Sequence, residues 1–327
     1  MKVPEAETRP KASMVEVDDD RAGQRIDNFL IGCLKGVPKS RVYRMLRKGE
    51  VRVNKGRVKA HYRIQAGDAV RIPPVWQSEP TAVVTPGARV LERIGQSILM
   101  EEKGFLVLNK PSGIAVHGGS GLSYGIIEAL RIMRPEAPYL ELVHRLDRET
   151  SGCLVIAKRR SVLRELHRLL REGGGMEKTY LALVKGHWSG GERRVDAPLL
   201  KNTLKSGERV VTVSQEGKSA LSLFRPVTHF ANNSVDATLV EVSLLTGRTH
   251  QIRVHAASIG HPIAGDEKYG DEQFNRDMKQ QGLRRLFLHA REIAFSLPEG
   301  ESGHKKSHRI SAPLGKELEA VLNKLSK

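Results

Sequence analysis

Cysteine is nearly absent from this 327-residue chain: only Cys33 and Cys153 occur, far apart and each among apolar residues. Two such cysteines read as small buried hydrophobes of a reducing compartment, not as a disulfide framework or a metal site. Long apolar runs are missing too, and none approaches the roughly 20 residues of a spanning helix. The first 20 residues are polar and end in Asp18-Asp19-Asp20, which reads as neither a signal peptide nor a transit peptide. Acidic residues are the third scarcity. With 37 Asp and Glu against 54 Lys and Arg, the formal net charge is +17. Such an excess speaks of partners rather than fold, and with a membrane disfavoured it points to a polyanion. A cytoplasmic polyanion binder is the expectation.

The charge is concentrated. Residues 21–74 hold 14 Lys and Arg against Asp27, Glu50 and Asp68, a net of +11, so about two-thirds of the excess lies in one sixth of the chain. The length favours two domains, and this composition step locates the first. Residues 1–20 read as a flexible tail. From Ile26, apolar residues at Phe29, Leu30, Cys33 and Leu34 form the stripe of an amphipathic helix, ended by Gly36 and Pro38. Ser40 is expected to cap a second helix carrying Val42, Met45 and Leu46 and closed by Gly49, and the segments Val51–Asn54, Arg57-Val58 and Asp68–Ile72 predict a small sheet. On the second helix Arg41, Arg44, Arg47 and Lys48 face away from the apolar side, and Arg52, Lys55 and Arg57 follow in the hairpin. A solvated face is the plain reading of such charge. Cations with almost no acidic partners gain nothing from i,i+4 pairs, however, so a phosphate-binding face is expected. This helix-helix-sheet unit resembles the small RNA-binding domain shared by a small-subunit ribosomal protein and several RNA-modifying enzymes.

Residues 75–100, with Pro80 and Pro86, read as a linker leading into a second domain over residues 101–327. Strand-like segments there are Phe105–Leu108, Cys153–Ala157, Thr179–Lys185, Ala220–Pro226 and Ala237–Leu245, with helical ones at Gly125–Arg134, Ser161–Arg171 and His250–Ile259. Several consecutive strands late in the chain predict an α+β fold with a largely antiparallel mixed sheet.

The run from Val143 to Gly152 carries the chemistry. Asp147 stands between Arg145 and Arg148, just before the apolar segment Cys153–Ala157. A carboxylate beside cations stays ionised and can act as nucleophile or general base on a polyanion. Taken alone, it is equally a salt-bridged loop before a strand. Three look-alikes fail. A kinase catalytic loop has Asp directly after Arg and Asn five residues beyond it, whereas Leu146 intervenes here and Gly152 stands five beyond. The stretch His117–Gly121 lacks the Gly-Lys-Ser/Thr ending of a nucleotide loop and reads as a flexible turn able to approach a phosphate backbone. His250, His255 and His261 lack an acidic base at zinc-hydrolase spacing, so no metal is expected.

Four segments taken together change the odds for Asp147: Leu108–Gly113, His144–Gly152, Lys178–Ala182 and Thr246–His255. In this order and spacing they resemble the RluA family of pseudouridine synthases, over essentially all of residues 100–320. Ala197–Asn202, Ser206–Arg209 and Val213–Lys218 are similar to the branch of that family that modifies large-subunit ribosomal RNA and carries the same basic N-terminal domain. The sibling RsuA family typically has glycine in the place of His144.

The resemblance implies isomerisation of a uridine: the base is detached at its ring nitrogen, rotated and rejoined through a ring carbon. It implies that Asp147 is the essential carboxylate, attacking the ribose or abstracting a ribose proton, and that Arg248 pairs with it. Tyr180 would stack on the base and manage the proton on the ring carbon. Leu288 would line the uracil pocket, His144 would be among the substrate-binding residues, and Lys110 would position the site. Arg145 would either fill the vacated base stack or contact phosphate. The substrate expected is large-subunit rRNA or its precursor, bound by a monomer needing no metal or organic cofactor. Two rivals from other classes remain: a non-catalytic rRNA-binding or assembly factor, against which the set Asp147, Tyr180 and Arg248 speaks, and a hydrolase using Asp147 as base, which lacks a second carboxylate.

Overall fold

The computed structural model describes residues 11–34, 36–75, 86–119, 124–203, 209–232, 235–298 and 304–327. The chain divides into two compact units, one up to residue 84 and one from residue 85.

In the first unit, strand β1 (Ser13–Glu16) precedes helices α1 (Ile26–Cys33) and α2 (Lys39–Lys48), then β2 (Arg52–Val53) and β3 (Ala69–Ile72). The strands form an antiparallel sheet in the order β1-β3-β2. The apolar stripes meet as their spacing requires: Ile26, Phe29 and Leu30 of α1 and Val42, Met45 and Leu46 of α2 share one core with Ile64, Val70 and Ile72. Two expectations are corrected. The tail is ordered from residue 11, because β1 completes the sheet edge and Val17 enters the core; residues 1–10 lie outside the described residues. Ser40 does not cap α2. The helix begins one residue earlier, and the Pro38 carbonyl takes the N–H groups of Arg41 and Val42. Gly49 closes α2 at φ 69°, a left-handed turn that glycine adopts without strain. Asn54 and Lys55 also have positive φ, in the tight turn where Val53 and Gly56 exchange backbone hydrogen bonds. That turn type suits the twist of a hairpin and favours Asn.

The second unit begins with α3 (Ala88–Gly95) and β4 (Ile98–Glu101), which correct the second half of the supposed linker; residues 76–85 lie outside the described residues. Val90, Leu91 and Ile94 give α3 an apolar face that must be buried, and it packs on the domain core. There follow β5 (Phe105–Lys110), α4 (Ile126–Met133), β6 (Glu141–Leu142), β7 (Ser151–Ala157), α5 (Arg160–Glu172), β8 (Met176–Lys185), β9 (Arg193–Asp196), β10 (Leu199–Thr203), β11 (Arg209–Val213), β12 (Leu221–Asn232) and β13 (Val235–Leu244). The unit ends with α6 (Gln251–Ser258), α7 (Glu272–Gln280), β14 (Leu288–Pro298), β15 (Lys305–Ser311) and α8 (Lys316–Leu325).

Its ten-stranded sheet runs β4-β5-β7-β14-β8-β13-β12-β9, with β15 on β14 and β6 on β7, and β10 and β11 form a separate hairpin. Every pairing among these strands is antiparallel except β7 with β14, so the expected α+β mixed sheet is what forms. That parallel pairing positions the site. It sets Ser151-Gly152, just after Asp147, beside His289-Ala290, just after Leu288. Gly152 permits it: at φ 110° its position has no room for a side chain, since a Cβ would lie 2.2 Å from the Ala290 carbonyl oxygen.

Candidate active site

The segment before β7 is held at both ends, with Asp147 between. At its start, Val143 N–H donates to the Val155 carbonyl and His144 Nε2 accepts the Val155 N–H at 3.2 Å. At its end, the Leu108–Gly113 motif forms a cradle. Lys110, 0% exposed, donates through Nζ to the carbonyls of Pro111 (2.9 Å), Ile114 (2.8 Å) and Arg148 (3.0 Å). Ser112 Oγ donates to the Glu149 carbonyl, and Gly113 N–H to that of Arg148. Lys110 is thus a positioning group. Burial pulls its pKa down to about 7, against Glu149 and Asp147, which raise it. Lys110→Met should take a donor from three carbonyls, of which that of Arg148 keeps the Gly113 N–H, and destabilise the domain by about 1–3 kcal/mol, with turnover falling more than RNA affinity. Thermal unfolding together with single-turnover kinetics and filter binding checks this; an unchanged midpoint contradicts the clamp.

Burial pushes His144 down to about 3, with the Lys178 charge adding to it. A histidine kept neutral in the fold and titrating near its ordinary value when unfolded stabilises the protein fully above that value. As pH falls from about 6.5 towards 3, the unfolded chain takes up a proton that the native one refuses, and stability declines by up to about 1.4 kcal/mol per pH unit. His144→Gln should flatten the decline between pH 6.5 and 5 in a series of denaturant midpoints. A decline as steep as the parent's would assign it to other groups.

Asp147 opens into a cleft of about 1000 Å³, which Tyr180, Leu288, Lys178, Arg145 and the loop from Thr246 to Arg253 also line. Tyr180 on β8 and Leu288 on β14 share a face of adjacent strands, because Leu288 pairs with Ala182 and Ala290 with Tyr180. Both are nearly buried, at 7% and 4% exposure. Burial and the nearby Asp147 charge push the Tyr180 phenol pKa up, which keeps it protonated. Arg145 is exposed on the cleft wall.

The arginine that pairs with Asp147 is Arg253, not Arg248. Arg253 Nη1 lies 3.4 Å from Asp147 Oδ2, and its other nitrogens bind the buried Asp266 in bidentate fashion, both at 2.7 Å. Burial works against the guanidinium charge, but Asp266 and Asp147 outweigh it and raise the pKa. Arg248 is exposed and donates to the Ser219 carbonyl at 3.0 Å. The reason is helical phase: α6 starts only at Gln251, so Arg248 precedes it, whereas Arg253 lies inside it, three residues after His250. Arg148 does not flank the carboxylate either; it donates to the Gly113 carbonyl and pairs with Glu149. His250 Nε2 stands 3.8 Å from Asp147 Oδ2, and burial lowers its pKa despite the Asp147 charge.

Sequence reasoning missed Arg253, His250, Lys178 and Asp266 as site residues. A phase count through Thr246–His255 could have found the first two; nothing local marks Asp266, 13 residues beyond Arg253. In the glycine turn at His117 the Gly118 N–H donates to Glu128; Ser120 and Gly121, like Ser206–Glu208, lie outside the described residues. In the first unit Arg44, Arg47, Lys48, Lys55 and Arg57 are exposed. Arg41 is held by Glu50 at 2.8 Å, and Arg52 donates to the Lys55 carbonyl.

A family model described as RNA pseudouridylate synthase matches residues 104–258, and an S4 domain model matches residues 24–70. The chain is 55% identical to the ribosomal large subunit pseudouridine synthase C of Escherichia coli K12, over 97% of each chain. It is 52% identical to the protein of the same name from Haemophilus influenzae, over 95% of this chain and 94% of the other. Among solved structures, human RNA pseudouridylate synthase domain containing 4 aligns with a TM-score of 0.58 at 26% identity, covering 73% of this chain and 96% of its own.

Proposed function

The chain belongs to the RNA pseudouridylate synthase family, and we propose that it isomerises uridines of large-subunit ribosomal RNA with Asp147 as the reacting carboxylate. The observation that carries this reading is Asp147, held by Arg253 at 3.4 Å, in a cleft that Tyr180, Leu288, Arg145 and Lys178 also line. The isomerisation conserves atoms: the bond from ribose C1′ to N1 breaks, one from C1′ to C5 forms, C5 gives up a proton and N1 gains one. Asp147 attacks C1′ or takes a ribose proton in the first step. Tyr180 and Leu288 hold the uracil ring while it turns. The reaction moves no electrons to or from the substrate, so it calls for no redox cofactor. A stacked uridine must first be extruded, at a cost of a few kcal/mol, and the exposed Arg145 guanidinium is suited to fill the gap.

The high identity to named large-subunit enzymes over nearly their whole length supports this substrate. We place the enzyme in the cytoplasm as a monomer; among the described residues no helix is long and apolar enough to cross a membrane. The test is incubation of the purified protein with an unmodified large-subunit rRNA transcript, followed by chemical mapping of pseudouridine. Sites that match those lost from cells lacking the protein support the reading. RNA bound with every uridine intact would instead favour a binding or assembly factor.

The S4 unit is assigned to RNA capture. Replacing the exposed Arg44, Arg47 and Lys48 together by Ala should weaken rRNA binding and flatten the slope of log affinity against log salt by about 2–3, through fewer released counterions. Turnover on a saturating fragment should persist. An unchanged slope would move the phosphate contacts to the second unit.

A further inference from the structure

We propose that Tyr269 and His250 form a positioning relay that ties the β10–β11 hairpin to the aim of the Asp147 carboxylate. The relay rests on the reading of Asp147 as the reacting group. His250 has φ 53°, in the left-handed region that few residues with a side chain adopt, and such conformations persist where the surroundings over-determine them. Here the determinant is the buried Gln251. Its Oε1 accepts from Thr246 Oγ1 and Arg248 N–H, and its Nε2 donates to the Leu221 carbonyl and to Ser222 Oγ.

The turn aims the His250 ring at two groups. Nδ1 lies 2.8 Å from the Tyr269 hydroxyl, and Nε2 lies 3.8 Å from Asp147 Oδ2. The same Tyr269 oxygen accepts the Val211 N–H of β11 at 3.0 Å. With Val211 donating to its oxygen, the phenol has its own proton to give, and we assign His250 Nδ1 as the acceptor. The imidazole proton is thereby placed on Nε2, facing Asp147. Arg253 reaches the same Oδ2. Oδ2 is thus the held oxygen, and Oδ1 is the one directed at the ribose. At the far end, Val211 packs with Leu199, Tyr269 and Val254, the neighbour of Arg253 on α6. The hairpin therefore rests on the tyrosine and the helix that supply both partners of the carboxylate.

Two measurements on the intact protein test this. With ¹⁵N-labelled histidine, the ring signal removed by His250→Asn should report a proton on Nε2 and none on Nδ1 at pH 7, and Tyr269→Phe should end that single-tautomer state. A proton on Nδ1 overturns the relay whether or not the protein isomerises uridine. The second measurement is single-turnover kinetics on a saturating rRNA fragment. Tyr269→Phe and His250→Asn should each slow the reaction about tenfold with affinity within about twofold, as for one lost hydrogen bond in a charged network. Asn tolerates the left-handed turn, so the backbone is kept. The double variant should lose no more than either single one. Additive losses, or losses in affinity alone, overturn the relay. A wild-type protein that leaves uridine unchanged counts against the proposed function instead, and the tautomer then decides the relay.

Discussion

Asp147→Asn is expected to lower pseudouridine formation by at least about 10³-fold while leaving RNA affinity within about twofold. The amide keeps the size of the side chain and can still accept from Arg253, so the loop clamped by Lys110 and His144 should survive. What is lost is the anionic oxygen that attacks or deprotonates the ribose. Affinity persists because the exposed cations of the S4 unit and cleft groups such as Arg145 and Lys178 stay in place. Single-turnover kinetics beside filter binding separates the two quantities. A variant that isomerises at the parent rate would remove Asp147 from the chemistry and with it the proposed mechanism.

The second large effect distinguishes the two arginines of Thr246–His255. Arg253→Ala strips the buried Asp266 of its bidentate partner and Asp147 of its closest cation, and breaking such a pair costs about 3–5 kcal/mol. Turnover should collapse and the unfolding midpoint should drop. Arg253→Lys should recover little, because a point charge cannot bridge two carboxylates through a planar fork. Arg248→Ala loses an exposed side chain and one hydrogen bond to a carbonyl, so its turnover at saturating RNA should fall by less than about threefold. Assays well below the unfolding temperature keep stability out of the comparison. The reverse ranking would mean that RNA binding rearranges the pairing.

Much of this was legible in the residues. The stripe Ile26, Phe29, Leu30 fixes a helix because 3.6-residue periodicity leaves one face to bury, and the all-buried β7 was evident as an unbroken apolar segment. The order of four motifs pointed to the family and to Asp147, Tyr180 and Leu288, which do line one cleft. The S4 unit's charge announced a polyanion before any fold was considered.

Other facts depend on groups far apart in sequence. The pairing of Asp147 with Arg253 spans 106 positions and turns on where α6 begins, a boundary that local propensity sets only to within a residue or two. Asp266 and Tyr269 carry no motif, and they matter because a loop returns them to α6. The ordering of β1 depends on an open edge of β3, and the seat for α3 depends on a core built by later strands. Composition, periodicity and motif order thus determined the class of partner, many of the elements and the choice of Asp147 as the candidate carboxylate, since each is a property of neighbouring residues. Which charges meet, and which oxygen of Asp147 is held, only the tertiary structure decided, because those energies depend on distances that chain order does not set.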